Sequence, residues 1–504
     1  MFIKNNMYLL YTAMVGAHVV HVLTDLTSLA YVSGILAVVA LVFSFPDASR
    51  LFQVIGSIFL FVGMFLLIYT GPSWVHLPFF MTSTLSLLAM LYVLPFINSV
   101  IVVGGYDKNI NTLLKTRVRH LGLLYSRSLF ATYILVAFLN ITTLPLVHDV
   151  LHKNLKHKAK ALRDRFISQA ALRGFALSLA WSPMEILVAI TVDITRIGYL
   201  TYLPWLLLFS VTLLVLESLR GWRYRHIRLD EGKETGRAAL ASSEDGKRQS
   251  AGQSSSASEP TDAGKQTGAE KQTDAEISPE MDRGTSQTPE PLLKEVLPKI
   301  AVMFIALFLF LCSVIAVGNI LQVEFLMAVT LVVIPFSLIW AFVIRRWHTY
   351  LVFMYQTWKM RTNSLQNFVV LFLSLGFFVS ALRESVFLSY LQQPFIALSD
   401  QPVLILAMIQ LLYFGLAMLG VHPLATIGVL SEALQPLLAV LNPLSVGIVL
   451  ITGGLATSTV GPYGVSVTMI GQLAEQNPYR ITAWNTIFAL VYGGLGTLIG
   501  TLLL

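Results

Sequence analysis

The stretch LGLLYSRSLFATYILVAFLNITTLPLV, residues 121–147, decides how this chain is folded. As one helix it would be about 40 Å long, enough to cross a bilayer once and too short for two full crossings. It lies between two basic segments, one with Lys108, Lys115, Arg117 and Arg119, the other with Lys153, Lys156, Lys158, Lys160, Arg163 and Arg165. A single crossing would export one of them and break the rule that basic loops stay inside. A re-entrant hairpin meets both constraints. Its turn is expected at NITTLP, residues 140–145, where Pro145 has no N–H and the Asn and Thr side chains cover free backbone groups. Residues 403–430 read the same way from the opposite face, with a turn at GVHP, residues 420–423. With both stretches as hairpins, every Lys and Arg except Arg196 and Arg383 falls on one side of the membrane.

The rest of the composition agrees. The chain has 504 residues, 55% hydrophobic and 12% charged, with a mean hydropathy of +0.71. A soluble domain cannot hide so much apolar surface, so the expected class is an all-α polytopic membrane protein whose first partner is the lipid bilayer. The net charge of +7 does not point to nucleic acid. The basic residues flank apolar helices, where they set orientation and meet anionic lipid. The single cysteine, Cys312, excludes an intrachain disulfide and a cysteine metal site. Residues 1–28 read as a retained first helix, since no small-residue cleavage site follows the apolar run. Residues 221–297 are rich in Ser, Glu, Gln, Gly and Thr, with no aromatic residue between positions 227 and 301. This segment is expected to be a disordered linker. Arg220, Arg223, Arg225 and Arg228 lead into it and make it cytoplasmic.

The linker divides the apolar chain into residues 29–220 and 298–504. In the first half, spans are expected near 5–23, 29–45, 51–70, 77–103, a broken 168–200, and 203–219. In the second they fall near 298–318, 321–343, 364–390, a broken 441–475, and 481–504. The sum is about eleven transmembrane helices plus the two hairpins. Without the first helix, both halves show one order: three spans, a hairpin, a broken span, a span. The first half starts outside and the second inside, which makes an inverted-topology repeat. The N-terminus is then cytoplasmic, the C-terminus outside, and the location the plasma membrane.

Irregular backbone at membrane depth survives only where protein buries it or a wet cavity runs beside it. Half-helix N-termini there offer N–H groups to an anion, and unwound carbonyls and hydroxyls can hold a cation. Four breaks are expected. The first hairpin turn presents Asn140, Thr142 and Thr143, with Pro145 as the breaking residue; its plainer reading is a solvated loop. Residues 180–185 carry Ser182, Pro183 and Glu185. An intramembrane carboxylate is costly and usually functional, its plainer role being to pair with Arg173 or a helix dipole. The second hairpin turn has His422 and Pro423, the histidine titrating near neutral pH or simply fixing the turn. The richest break is TGGLATSTVGP, residues 452–462, in which Gly453, Gly454, Gly461 and Pro462 loosen the helix and Thr457, Ser458 and Thr459 offer hydroxyls. Helix packing is its plainer role. Arg383 and Glu384 read as an interfacial pair, and the GxxxG of Gly496 and Gly500 as a packing motif.

AFLNITT, residues 137–143, is similar to the Asn- and Thr-bearing tip of the inward hairpin in the ion transporter superfamily, and LGVHP, residues 419–423, is similar to the outward tip of several members. That superfamily includes divalent-anion/sodium symporters, arsenite permeases, related sodium/proton antiporters and the large subunits of tripartite transporters. The resemblance implies elevator-type alternating access, a homodimer and anionic substrates coupled to sodium or protons. It further implies ion and substrate contacts at Asn140, Thr142, Thr143, Thr457, Ser458 and Thr459. The Ser-Asn-Thr tip of the dicarboxylate symporters is absent from both hairpins, so no dicarboxylate assignment is carried over.

No Walker loop, HExxH or nucleophile elbow occurs, and no enzyme activity, cofactor or metal is expected beyond a coupling Na+ or H+. The expected function is a secondary active transporter of a small anionic solute, a carboxylate or an oxyanion. One alternative is the membrane subunit of a binding-protein-dependent tripartite transporter. Another is a non-transporting scaffold or sensor that acts through the 221–297 linker.

Overall fold

A computed structural model describes residues 6–71, 76–105, 120–227 and 293–504 of the chain. Most of the linker, residues 228–292, and the basic loop 106–119 lie outside the described residues. Among those described the chain is all helical. The first half holds α1 (Met7–Thr24), α2 (Thr27–Ser44), α3 (Arg50–Thr70), the single turn α4 (Leu77–Phe80) and α5 (Leu85–Val103). Then come α6 (Leu121–Leu139), α7 (Thr143–Asn154), α8 (Lys160–Leu179), α9 (Ile186–Thr195) and α10 (Tyr199–Arg220). The second half holds α11 (Leu293–Leu321), α12 (Phe325–Val343), α13 (Trp347–Asn363), α14 (Gln366–Arg383) and α15 (Phe387–Ile396). It continues through α16 (Pro402–Met418), α17 (Pro423–Leu434), α18 (Pro443–Ala456) and α19 (Val465–Ala474) to α20 (Pro478–Leu502).

Nine of the described helices are long and apolar enough to cross a membrane: α1, α2, α3, α5, α10, α11, α12, α14 and α20. By length and composition the chain is a multi-pass all-helical membrane protein. The remaining helices include shorter apolar ones, α6, α9, α16, α17, α18 and α19. Helices α6 and α7 are joined by a 3-10 turn at Asn140–Thr142, the 20-residue α8 and α9 meet around residues 180–185, and α18 and α19 meet around a 3-10 turn at Thr457–Thr459.

Local chemistry explains the starts of these helices. His422-Pro423, Asn442-Pro443 and Asn477-Pro478 each open one: the first residue's side chain accepts from the N–H two positions on, and proline takes the first helical position, where no N–H is needed. The expected span 77–103 is instead split into α4 and α5. In the turn between them, Thr84 donates to the Phe372 carbonyl at 2.7 Å and Ser83 to that of Gly376 at 3.1 Å, so the chain docks on α14 rather than continuing straight. Gly376 permits that approach, because a Cβ there would meet the Thr84 Oγ1 at 2.5 Å. The expected span 364–390 likewise ends early, at Arg383, before the short α15. Helix α11 begins at Leu293, inside the segment whose composition reads as linker. The basic loop after α12 is itself a helix, α13, whose Trp358 packs its ring against Tyr8 and Tyr92, each 5.7 Å away.

Helices α8 and α18 form the centre. From Asp164 to Leu179, α8 is buried on nearly all sides, and α18 is buried from Ser445 to Ala456. A helix enclosed all round sits in the middle of a bundle. Against α18 lies α20, where Gly496 lets the Thr452 hydroxyl in and Gly500 faces Val449, so the GxxxG packs as expected. Buried within α8 is Arg173, 2% exposed. Its guanidinium donates to Glu217 of α10 at 2.6 Å, to Asn485 at 3.1 Å and to the Trp484 carbonyl at 3.1 Å, and stands 5.3 Å over the Phe488 ring. Tyr125 of α6 donates to the same Glu217 at 3.4 Å. One buried cation thus joins α6, α8, α10 and α20. Glu217 also accepts from Arg220 at 3.2 Å, so removing Arg173 leaves it a partly exposed partner and should cost less than the roughly 3–5 kcal/mol of a fully broken buried pair. Arg173→Met is therefore expected to lower the thermal unfolding midpoint of the purified protein, and Arg173→Met with Glu217→Met to recover part of the loss.

Candidate functional site

The turn of the first hairpin is tighter than its sequence implies. Only Asn140–Thr142 leaves the α-helical pattern, and Pro145 falls in the first turn of α7, where its missing N–H costs nothing. Asn140 combines φ +47° with ψ −132°, outside the left-handed helical region, a backbone conformation that favours glycine. Thr142 donates its hydroxyl to the Leu139 carbonyl. Thr143 is fully buried, and its hydroxyl has no hydrogen-bond partner among the described residues.

Residues 180–185 form the break between α8 and α9. Ser182 is buried and spends its side chain inside the turn, accepting from the Met184 N–H at 3.3 Å, while its carbonyl accepts from Glu185 N–H at 3.1 Å. Pro183 lies in this turn. Glu185 is the residue just before α9, where the free N–H groups and the positive end of the helix favour a carboxylate. Its side chain faces the Leu187 N–H and the Asn140 side chain, and the Tyr492 hydroxyl of α20 lies within its field. Among the described residues these groups are all uncharged. Of the two plainer partners expected for Glu185, the helix dipole is at hand, since the residue stands at the start of α9 where the dipole is positive, while Arg173 is held by Glu217. Trp181, whose indole N–H also lacks a partner of hydrogen-bond geometry, stacks near Tyr133 at 5.9 Å.

The break in the second half begins later than expected. Gly453 and Gly454 are not hinge positions: they lie in the last turns of α18. Each admits a neighbour, Gly453 the Gln410 and Tyr413 side chains and Gly454 the side chain of Leu187. The helix ends where Thr457, Ser458 and Thr459 donate their hydroxyls to the carbonyls of Gly454, Leu455 and Ala456. These hydroxyls cap the end of α18, so as donors they are used, and only their lone pairs remain for a ligand. Gly461 donates its N–H to Thr457 at 2.8 Å, and the chain turns through Pro462 into α19.

His422 fixes the second hairpin. Its Nδ1 accepts from the Leu424 N–H at 3.3 Å, and its ring stands edge-on to Phe368 at 6.3 Å. Pro423 opens α17. Gly420 has φ +94° and lies against the Tyr463 ring, where a Cβ would come within 3.2 Å.

Three meetings follow. The first hairpin turn meets the first break through Asn140 and Glu185. The helices beside the two breaks, α9 and α18, meet through Leu187 and Gly454. The second hairpin turn meets the second break through Gly420 and Tyr463. Tyr492, Tyr133, Gln410 and Glu217 escaped the sequence reading. Tyr and Gln in an apolar run carry no signal until a partner is seen. Glu217, next to Arg220, reads as an interfacial acid. Arg383 was expected to pair with Glu384, yet it grips Glu432 of α17 through two hydrogen bonds, since adjacent residues on a helix face different directions.

If His422 serves as a cap, His422→Ala should cost about 1 kcal/mol of stability and His422→Asn, which caps equally well, only a few tenths. Thermal unfolding of the purified variants checks this; equal losses for both would assign the imidazole another task.

No protein-family model matches the chain, and no curated protein matches it significantly in sequence.

Proposed function

We propose that the chain is a secondary active transporter that moves a small anionic solute, a carboxylate or an oxyanion, together with Na+ or H+. The observation that carries this reading is Glu185. A carboxylate stands at the start of α9 in an apolar bundle, beside the turn at Asn140, with only uncharged groups around it among the described residues. Such a group is costly and needs a use. An anionic solute bound beside it would add a second negative charge in a medium of low dielectric constant. A proton or a sodium ion taken up with the solute removes that repulsion, and this is a physical reason for coupling. The buried Thr143 hydroxyl, still without a partner, would serve as a solute contact.

The repeat and the two re-entrant hairpins belong to the same reading. Packing across the two halves supports them. Helix α3 lies on α14 as α5 lies on α12, α6 on α8 as α16 on α18, α7 on α19 as α17 on α9, and α9 on α18 as α8 on α19. Each pair maps onto the other when the halves are exchanged, as an inverted repeat requires. On this reading the hairpins and broken spans move as one body against the other helices, in an elevator-type cycle, within a homodimer of the plasma membrane.

The test begins with thermal-shift screening of mono-, di- and tricarboxylates and oxyanions in sodium or potassium, since a ligand that binds only the native state raises apparent stability. Uptake of the stabilising anion into liposomes is then measured under a sodium or a pH gradient. Glu185→Gln, close in shape and without charge, is expected to lower gradient-driven accumulation by at least about tenfold, with counterflow exchange retained. Thr457→Ala with Ser458→Ala should weaken uptake as well. Full gradient-driven accumulation by Glu185→Gln would overturn the role given to this carboxylate.

A further inference from the structure

A second polar site lies on different elements from Glu185. A cleft of about 340 Å³ opens between α7, the start of α8 and the end of α19. From α7 it is lined by His148, Asp149, His152 and Lys153, from α8 by Lys160 and Arg163, and from the end of α19 by Leu473, Ala474 and Glu475, so three cationic side chains face two carboxylates. His148 is 4% exposed, and neither of its ring nitrogens has a hydrogen-bond partner among the described residues. The nearest acid, Asp149, comes only to 3.6 Å of Nδ1, beyond hydrogen-bond reach. The His152 ring stacks on it at 5.6 Å. Nε2 then has no polar partner of its own among the described residues, and a buried imidazole nitrogen without a hydrogen bond is unfavourable unless something entering the cleft completes it.

The charges around it indicate what enters. Arg163 binds the buried Asp164 through Nε, which leaves the terminal guanidinium nitrogens as donors. Lys160 meets Glu475 at 3.3 Å, but both side chains are more than half exposed, so this ion pair is weak and exchangeable. Lys153 is exposed at the rim. Donors thus come from two walls and the rim around one volume. A carboxylate has two oxygens; a phosphoryl group has enough to meet an imidazole, an ammonium and a guanidinium together.

We propose that this cleft binds a phosphoryl group, held by His148, Lys153 and Arg163. The group comes either from the headgroup of an anionic phospholipid or from a soluble phosphate. Because His148 and Lys153 belong to α7 and Arg163 to α8, the occupant would tie α7 to the start of α8.

The experiment uses the full chain, purified, in two arms. In detergent, the unfolding midpoint is followed against inorganic phosphate, with chloride at matched ionic strength as control. In the second arm the chain is placed in vesicles of phosphatidylglycerol or of phosphatidylcholine. The expected result is a rise of about 3 °C with phosphate, phosphatidylglycerol or both. Lys153→Gln, an exposed change that leaves the fold intact, should raise the apparent dissociation constant about tenfold, and His148→Gln should do the same. Stabilisation in the first arm points to a soluble phosphate, and in the second alone to a lipid headgroup; either supports the site when Lys153→Gln weakens it. No gain over chloride and phosphatidylcholine, or a gain that Lys153→Gln leaves unchanged, overturns the proposal.

Discussion

The buried guanidinium of Arg173 is the interaction on which the central bundle depends. Four helices that are distant in sequence reach it: α6 through Tyr125, α8 by carrying it, α10 through Glu217 and α20 through Asn485 and the Trp484 carbonyl. Between apolar helices, dispersion and small-residue contacts give little orientation. A fork of charged hydrogen bonds does, because each donor points in a fixed direction. With α8 held in this way its end at residue 179 is fixed too, and with it the turn that presents Glu185 beside Asn140.

The same economy of polar groups governs the breaks. Where a helix ends inside an apolar bundle, its carbonyls must find donors. At α18 the donors are the hydroxyls of Thr457, Ser458 and Thr459, and at the second hairpin the acceptor for a free N–H is His422. These residues have ligand-like chemistry and structural employment at once. Glu185 and Thr143 differ. The Thr143 hydroxyl has no partner among the described residues, and Glu185 has neighbours but no countercharge. Function is best sought where polar groups remain incompletely answered, rather than where they are most numerous.

Much of this was legible along the chain. The all-helical class, the apolar spans and the positions of the breaks follow from hydropathy, proline and glycine, because each is a local property of the residues concerned. The cap-and-proline pairs at 422–423, 442–443 and 477–478 announce helix starts for the same reason. The candidate site was legible in part. Asn140 and Glu185 stood out because a polar or charged residue in an apolar run is conspicuous, but their meeting, across some forty positions of sequence, was not.

What the sequence determined by itself is therefore the helical class and several helix starts and breaks, since backbone hydrogen bonding and transfer of side chains from water act residue by residue; the split of 77–103 and the early end of 364–390 were not among them. What only the tertiary structure decided is who answers whom. Arg173 took Glu217 and left Glu185 without a cation; Arg383 took Glu432 and passed over its neighbour Glu384; Gly453 and Gly454 became contact surfaces rather than hinges. Each of these outcomes depends on the distance and direction between helices, and a buried charge settles on the partner that geometry brings within reach.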